Sequence, residues 1–309
     1  MKNYVDVCAS LMEQLPKDTV HVREPLHRHT YTQMGGEADL FVTPKTYEAT
    51  QQVLRFAKEY EVPITLLGFG SNLIVKDGGI RGIVLSLKEL DTISVTGHVM
   101  KAQTGAAIIQ ASRDAHGAEL TGLEFACGIP GTVGGALYMN AGAYGGQIAD
   151  VLERVLVLTE DGEFETLYKD DLLFEYRRSV FSKKRYIALE AEFHLHPGDR
   201  TVIKEKMDEL TLARETKQPL EYPSCGSVFK RPPGMFAGKL IQDSDLQGTR
   251  IGGAEVSKKH AGFIVNVDGA TATDYMNLVK HVQQVVKQKF DVELETEVIT
   301  IGEDRMEEA

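Results

Sequence analysis

The 309-residue chain is 42 % hydrophobic and 26 % charged, the balance of a globular protein long enough for two or three domains, each with a core. A formal net charge of −11 argues against nonspecific binding to nucleic acid or an anionic membrane, and no apolar run reaches the roughly 18 residues of a membrane span. Three scattered cysteines, Cys8, Cys127 and Cys225, form neither a disulfide framework nor a zinc site; with no signal-peptide core at the N-terminus, free thiols in a cytoplasmic protein are expected.

Residues 1–20 carry Val5, Leu11, Met12 and Leu15 at helical spacing and predict an amphipathic helix. Residues 48–60 predict a second helix, and 63–67 a short strand. Residues 68–72 (GFGSN) form a glycine turn, and 73–87 (LIVKDGGIRGIVLSL) read as strand, turn and strand. No helix opens after these glycines, which rejects a Rossmann fingerprint. Their backbone N–H groups suit an anion nest, although a plain hairpin connection explains the pattern equally well. Beyond lie a strand pair (93–102), a short helix (106–116), a hairpin turning at Asp-Gly (155–168) and a strand (186–194). A helix over 199–215 runs into Pro219 and Pro223, where composition shifts and a boundary is expected. The last third reads helix (237–246), strand (263–267), helix (273–289) and an alternating closing strand (293–301). The order predicts an α+β fold with mixed sheets.

Residues 122–146 (GLEFACGIPGTVGGALYMNAGAYGG) contain eight glycines among 25 residues. Helix and strand interiors do not accept that density; turning backbone that lies close to a ligand does. The small apolar residues between them predict burial. The bland alternative is a glycine-rich packing loop without a ligand. From Lys217 to Phe263, seven basic residues face four acidic ones, a local reversal in an acidic chain. It suits a small anionic ligand or a solvated face.

Six stretches occur together in order: residues 68–75 (GFGSNLIV), 122–146, 176–179 (YRRS), 225–232 (CGSVFKRP), 250–266 and 294–298 (LETEV). From about Thr32 to Gly302 the chain closely resembles the MurB family of UDP-N-acetylenolpyruvoylglucosamine reductases. The resemblance implies a two-part FAD-binding domain of the vanillyl-alcohol-oxidase (PCMH) type and a C-terminal α+β substrate-binding domain. The implied boundaries are 1–86, with the tail 293–309 returning to it, 87–206, and 207–292. It implies noncovalent FAD, NADPH as co-substrate and UDP-N-acetylglucosamine enolpyruvate as substrate, with no metal, nucleic acid or membrane insertion. The implied reaction reduces the enolpyruvyl ether to the lactyl ether of UDP-N-acetylmuramate.

By the same resemblance, Gly68, Gly70, Ser71, Asn72, Leu73, Gly128, Ile129, Pro130, Gly131, Thr132, Gly134 and Gly135 approach the FAD, with Asn140 and Gly142 on the flavin side. Arg177 grips the substrate carboxylate, where a bidentate guanidinium stabilises developing negative charge. Glu297 shares that stabilisation. Alternation alone does not separate Glu297 from Glu293 and Glu295; the motif does. Ser227 supplies the proton, a task for which an alcohol needs cations or a strongly basic carbanion nearby; Lys217, Lys230 and Arg231 are its cationic neighbours in sequence. Lys217, Arg231 and His260 match substrate-contacting positions. His260 departs from the glutamine of the best-known relatives, Gln247 stands where some carry a lysine, and Arg231 where they carry asparagine. Diphosphate contacts are therefore expected to shift toward Arg231 and Lys239. The 50 positions from Arg177 to Ser227 are short for the form with an inserted tyrosine loop, so the loop-lacking form is expected. Two rivals are an FAD oxidase on the same scaffold and a non-catalytic UDP-sugar sensor.

Overall fold

The computed structural model describes residues 4–305. The expected first helix begins, and the expected tail ends, outside the described residues. Two short helices, Tyr4–Val7 and Ala9–Gln14, stand where one was expected. Pro16, with no N–H and φ of −56°, stops helix propagation, and the chain turns through Lys17–Thr19 into the strand Val20–Pro25. The helix Tyr47–Glu59 starts at Thr46, whose hydroxyl accepts the Ala49 N–H at 3.1 Å. It buries Thr50, Val53, Phe56 and Ala57, spaced by three and four along one face.

A four-stranded sheet runs in the order Val20–Pro25, Glu37–Val42, Ile80–Leu85, Ile64–Leu66, and its last pair is parallel. An antiparallel five-stranded sheet runs Phe164–Tyr168, Leu152–Leu158, Ile187–His194, Val99–Gln103, Ile93–Thr96. The hairpin read at 155–168 is its edge pair, closing at Leu158 opposite Phe164. A second four-stranded sheet runs Ser224–Ser227, Phe263–Asn266, Ala254–Val256, Arg250–Ile251.

The strands Leu73–Val75 and Ile80–Leu85 do not pair with each other as a hairpin requires. Leu73–Val75 pairs in parallel with Ile299–Ile301 instead. The closing strand is correspondingly shorter than the alternation suggests. Residues 293–297 are outside any strand and are held locally: Lys230 N–H donates to Glu295 O at 2.9 Å and Glu297 N–H to Val228 O at 2.8 Å.

The chain folds as two compact units. The first contains the described residues up to 21, 40–69 and 82–214; the second contains 22–39, 70–81 and everything described from 215 onward. The first unit holds two apolar cores. One, around Leu40, Val53, Ile83 and Leu189, lies under the helix Tyr47–Glu59; the other, around Ile108, Val133, Val155 and Phe193, lies on the five-stranded sheet. The second unit has one core, which joins Met34 and Ile74 to Ile241, Ile264, Val282 and Val298. Its helix Ala272–Phe290 opens with a capping box between Thr271 and Asp274. Asp77 adds a second cap, its carboxylate accepting the N–H groups of Ala272 at 2.8 Å and Thr273 at 2.9 Å.

Candidate active site

The glycine-rich stretch is a series of short elements rather than one loop: a turn at Glu124–Ala126, the six-residue helix Val133–Tyr138 and a tight pairing of Gly142–Ala143 with Gly146–Gln147. It is only partly buried, with residues 127–131 all half-buried. Thr132 caps the helix, its hydroxyl accepting the Gly135 N–H at 3.0 Å. Gly68 lies against that cap: a Cβ there would stand 2.8 Å from Thr132 Oγ1, so the approach requires glycine. Two loops far apart in sequence thus meet in the first unit. Among the described residues, the N–H groups of Gly68, Phe69, Gly128, Gly131 and Thr132 donate to no acceptor of the chain. Backbone donors require partners, and a run of unpaired N–H groups beside glycine suits an anionic, close-lying ligand. The residues therefore fit a dinucleotide such as FAD.

Arg177 lies in the first unit, at a reversal in which Glu175 and Arg178 exchange backbone hydrogen bonds of 3.0 and 3.2 Å. Its φ of +58° is a left-handed conformation unusual for arginine. The half-buried guanidinium donates to Gly142 O at 3.4 Å and lies 5.0 Å from the centroid of the Tyr176 ring. Both the YRRS motif and the GAYG end of the glycine stretch therefore contribute to one local structure. Asn140 is buried, and both of its amide hydrogens are engaged, with Gln147 Oε1 at 3.0 Å and Glu175 O at 3.2 Å.

Ser227 and Glu297 lie in the second unit. Ser227 ends the strand Ser224–Ser227, which bulges between those two residues where it pairs with Phe263–Asn266. Gly226 forms the bulge with φ of +79° and turns the exposed serine outward from the ladder. Glu297, half-buried, is tied to the next residue of that chain segment by its own N–H to Val228 O. Asn72 supports it from the glycine turn: Nδ2 donates to Glu297 O at 3.3 Å, and Asn72 O accepts the Ile299 N–H at 3.1 Å. Two of the three expected cationic neighbours of Ser227 are otherwise engaged. Lys230 pairs with Glu295, and the Arg231 guanidinium lies 5.2 Å from the Phe236 ring centroid.

Beneath Ser227 is a feature that sequence reading missed. Cys225 and Tyr275, both buried, approach at 3.2 Å between Sγ and Oη. Burial pushes the Cys225 thiol up to about 11 and raises the Tyr275 phenol as well. Only the helical spacing of Tyr275 with Leu278, Val279 and Val282 marks it as a core residue in the sequence.

His260 stacks edge-on with Phe263 at 4.9 Å, and its Nδ1 accepts the Gly262 N–H at 3.1 Å. Burial lowers its pKa, so the ring is neutral with its proton on Nε2. Lys217 is exposed at the end of the helix Arg200–Lys217. Gln247 is engaged internally, donating to Ser257 O and Lys258 O, and Lys239 pairs with Asp243. None of the three cysteines, all of them described, is in a disulfide. Among the described residues no helix is long and apolar enough to cross a membrane.

The sequence model of the FAD binding domain family matches residues 38–168, and that of the UDP-N-acetylenolpyruvoylglucosamine reductase C-terminal domain matches 218–301. A UDP-N-acetylenolpyruvoylglucosamine reductase of Shouchella clausii is 75 % identical over 304 residues, 98 % of each chain. The crystal structure of the reductase MurB from Thermus caldophilus is similar with a TM-score of 0.79 at 34 % identity, covering 91 % of this chain and 97 % of that one. A glucose dehydrogenase, Phl p 4.0202, shares the fold alone, with a TM-score of 0.51 at 15 % identity over 63 % of this chain and 44 % of its own.

Proposed function

The chain belongs to the UDP-N-acetylenolpyruvoylglucosamine reductase family, and from that premise we propose how its own residues carry the reaction. It is an FAD-containing oxidoreductase that uses NADPH to reduce UDP-N-acetylglucosamine enolpyruvate to UDP-N-acetylmuramate in peptidoglycan precursor synthesis. Its fold is α+β, with a flavin domain and a C-terminal substrate domain.

Bound FAD supplies the route by which the hydride of NADPH reaches the enolpyruvyl double bond. The chain would hold the group through the N–H groups of Gly68, Gly128, Gly131 and Thr132, with Gly70, Ser71, Asn72 and Leu73 of the glycine turn as further candidate contacts. Ile129, Pro130, Gly134 and Gly135 shape the same loop. Arg177 grips the substrate carboxylate; its guanidinium is oriented by Gly142 O and the Tyr176 ring before substrate arrives. Hydride adds to the carbon remote from the carboxylate, and negative charge collects on the carbon bearing it. Arg177 stabilises that charge, joined by Glu297 when its carboxyl carries a proton to donate as a hydrogen bond, and the Ser227 hydroxyl donates its proton to the same carbon. One hydride and one proton complete the lactyl ether, and the serine alkoxide recovers its proton from solvent through the exposed strand end. Lys217 and Arg231 bring positive charge to the diphosphate, whereas the neutral His260 donates from Nε2.

The observation that carries this reading is the preset Arg177 guanidinium, held at φ +58° on a short turn that joins two of the matched motifs. The division into 1–86 with the tail 293–309, 87–206 and 207–292 is supported by the three apolar cores, although Met34, Ile74, Leu294 and Val298 belong to the core of the third part, and Leu90, Leu158, Ile187 and Leu189 to that of the first. The form without a tyrosine loop is supported by the stretch after Arg177, which is occupied by Ile187–His194, Arg200–Lys217 and Ser224–Ser227. The acidic charge of −11 argues against nucleic-acid partners, and three cysteines outside any disulfide suit a cytoplasmic protein.

Ser227→Ala tests the proton assignment. Bleaching of the flavin by NADPH survives within about twofold, while its recovery on adding enolpyruvyl sugar slows on the order of 10³-fold. Equal slowing of both half-reactions contradicts the assignment.

A further inference from the structure

We propose that Asn140 is a positioning residue for Arg177; the inference rests on the proposed role of Arg177 as the carboxylate-gripping group. Three alternate residues of one segment hold the turn that carries the arginine. Tyr138 O accepts the hydroxyl of the fully buried Ser179 at 2.8 Å, Asn140 Nδ2 donates to Glu175 O at 3.2 Å, and Gly142 O accepts from Arg177 Nη2 at 3.4 Å. The first and third contacts use the backbone carbonyls of Tyr138 and Gly142. Asn140 is the one of the three positions that grips the turn through its own side chain.

That side chain is fixed on every polar edge. Its second amide hydrogen reaches Gln147 Oε1 at 3.0 Å, and its Oδ1 accepts the Ala149 N–H at 3.0 Å. Asn140 is 2 % exposed, and its own φ is +44°, a conformation asparagine tolerates better than other side chains. Gln147 is in turn held by Asp150, whose carboxylate accepts from the Gln147 N–H at 2.9 Å and from Nε2 at 3.2 Å. The chain of contacts therefore runs from Asp150 through Gln147 and Asn140 to Glu175 O, the carbonyl that also accepts the Arg178 N–H across the turn.

The geometry assigns this chain a purpose. Arg177 at φ +58° is in a region that costs a non-glycine residue energy, and such a conformation persists only where its surroundings determine it. The arginine's own bond to Gly142 O is long, so the backbone beneath the arginine shares with that bond and the Tyr176 ring in aiming the side chain. Asn140 pins the carbonyl that starts the turn, which fixes the direction from which the guanidinium meets a carboxylate. With both amide hydrogens engaged, Asn140 acts through Arg177 rather than by donating to a ligand.

Asn140→Asp tests this. A carboxylate keeps the acceptor for Ala149 but loses both donors and faces the Glu175 and Gln147 oxygens. The expected result has three parts: FAD content per chain is unchanged, bleaching by NADPH stays within about twofold, and recovery with enolpyruvyl sugar falls on the order of 30-fold, as when a buried hydrogen bond is broken. Because the effect passes through Arg177, the Asn140→Asp, Arg177→Ala double variant recovers no more slowly than Arg177→Ala alone. Multiplying losses, parallel loss of both half-reactions, or loss of FAD in step with activity overturns the inference. If Arg177→Ala itself recovers at the normal rate, the reading of Arg177 fails and the inference with it; if Arg177→Ala is slow but Asn140→Asp is not, the inference alone fails. Should Asn140→Asp not accumulate as folded protein, Gln147→Ala decides. That surface change frees one hydrogen of Asn140, and a severalfold loss confined to the sugar half-reaction supports the inference, whereas an unchanged rate overturns it.

Discussion

The two units present their reactive side chains in opposite ways. In the first, Arg177 lies on a strained turn kept in place by side-chain donors from Asn140 and Ser179. In the second, Ser227 and Glu297 are placed by backbone: a glycine bulge, the Glu297 N–H on Val228 O, and the parallel pairing of Ile299–Ile301 with Leu73–Val75. A turn built from side chains is sensitive to conservative side-chain changes at a distance from the substrate. A backbone-built position is sensitive to changes in φ and to the core beneath it. The guanidinium must meet a planar carboxylate at a fixed angle, whereas a serine hydroxyl rotates freely to find its carbon, and the two constructions match those demands.

Arg177→Lys gives the largest effect. It keeps the charge but loses the planar fork, and recovery with enolpyruvyl sugar falls about 10²–10³-fold while bleaching by NADPH is retained. A loss below about tenfold would mean that charge alone, and not the held fork, matters in the first unit.

The core under Ser227 gives the next effect, seen in stability. Folding raises the Cys225 thiol from its ordinary 9.0 to about 11, so the unfolded chain loses this proton first as pH rises. The contribution is complete below about pH 9 and disappears as pH approaches 11, a loss of about 3 kcal/mol. Cys225→Ser, which keeps a hydroxyl against Tyr275, flattens denaturant midpoints between pH 9 and 10. An unchanged slope there would place the alkaline loss elsewhere.

Gly226→Ala tests the bulge. Nothing stands within 4 Å of the added Cβ, so the cost is conformational, about 1–2 kcal/mol for alanine at φ +79°. A Tm lowered by a few degrees, with slower recovery by enolpyruvyl sugar, is expected. The smallest change is Asn72→Ala, which removes one long bond to Glu297 O and slows sugar-dependent recovery a few-fold, on the order of a 1 kcal/mol hydrogen bond. A drop as large as that of Arg177→Lys would show that the second unit also depends on side-chain support.

The same contrast decides what was legible in the sequence. Local signals worked for the Asp-Gly hairpin and the helical face of Tyr47–Glu59, whereas the glycine density at 122–146 predicted a buried turning loop and the stretch is only partly buried and includes the helix Val133–Tyr138. Pairings between distant segments were not legible. Nothing local in LIV at 73–75 says that its partner lies at 299–301 rather than at 80–85, because an isolated apolar triplet suits any strand. The acidic alternation at 293–297 imitates a strand, yet contacts with residues 228–230 hold that segment. Arg177, Ser227 and Glu297 were selected by motif rather than by pattern. Asn140 was noticed only as part of a motif, since a side chain that binds its own fold looks the same in sequence as one that binds a ligand.

The most direct measurement is an anaerobic stopped-flow absorbance trace of the purified holoprotein, bleached with one equivalent of NADPH and then mixed with UDP-N-acetylglucosamine enolpyruvate. The account predicts return of the oxidised-flavin band with one lactyl ether formed per flavin. A bleached flavin that ignores the sugar and recovers only when oxygen is admitted would contradict it.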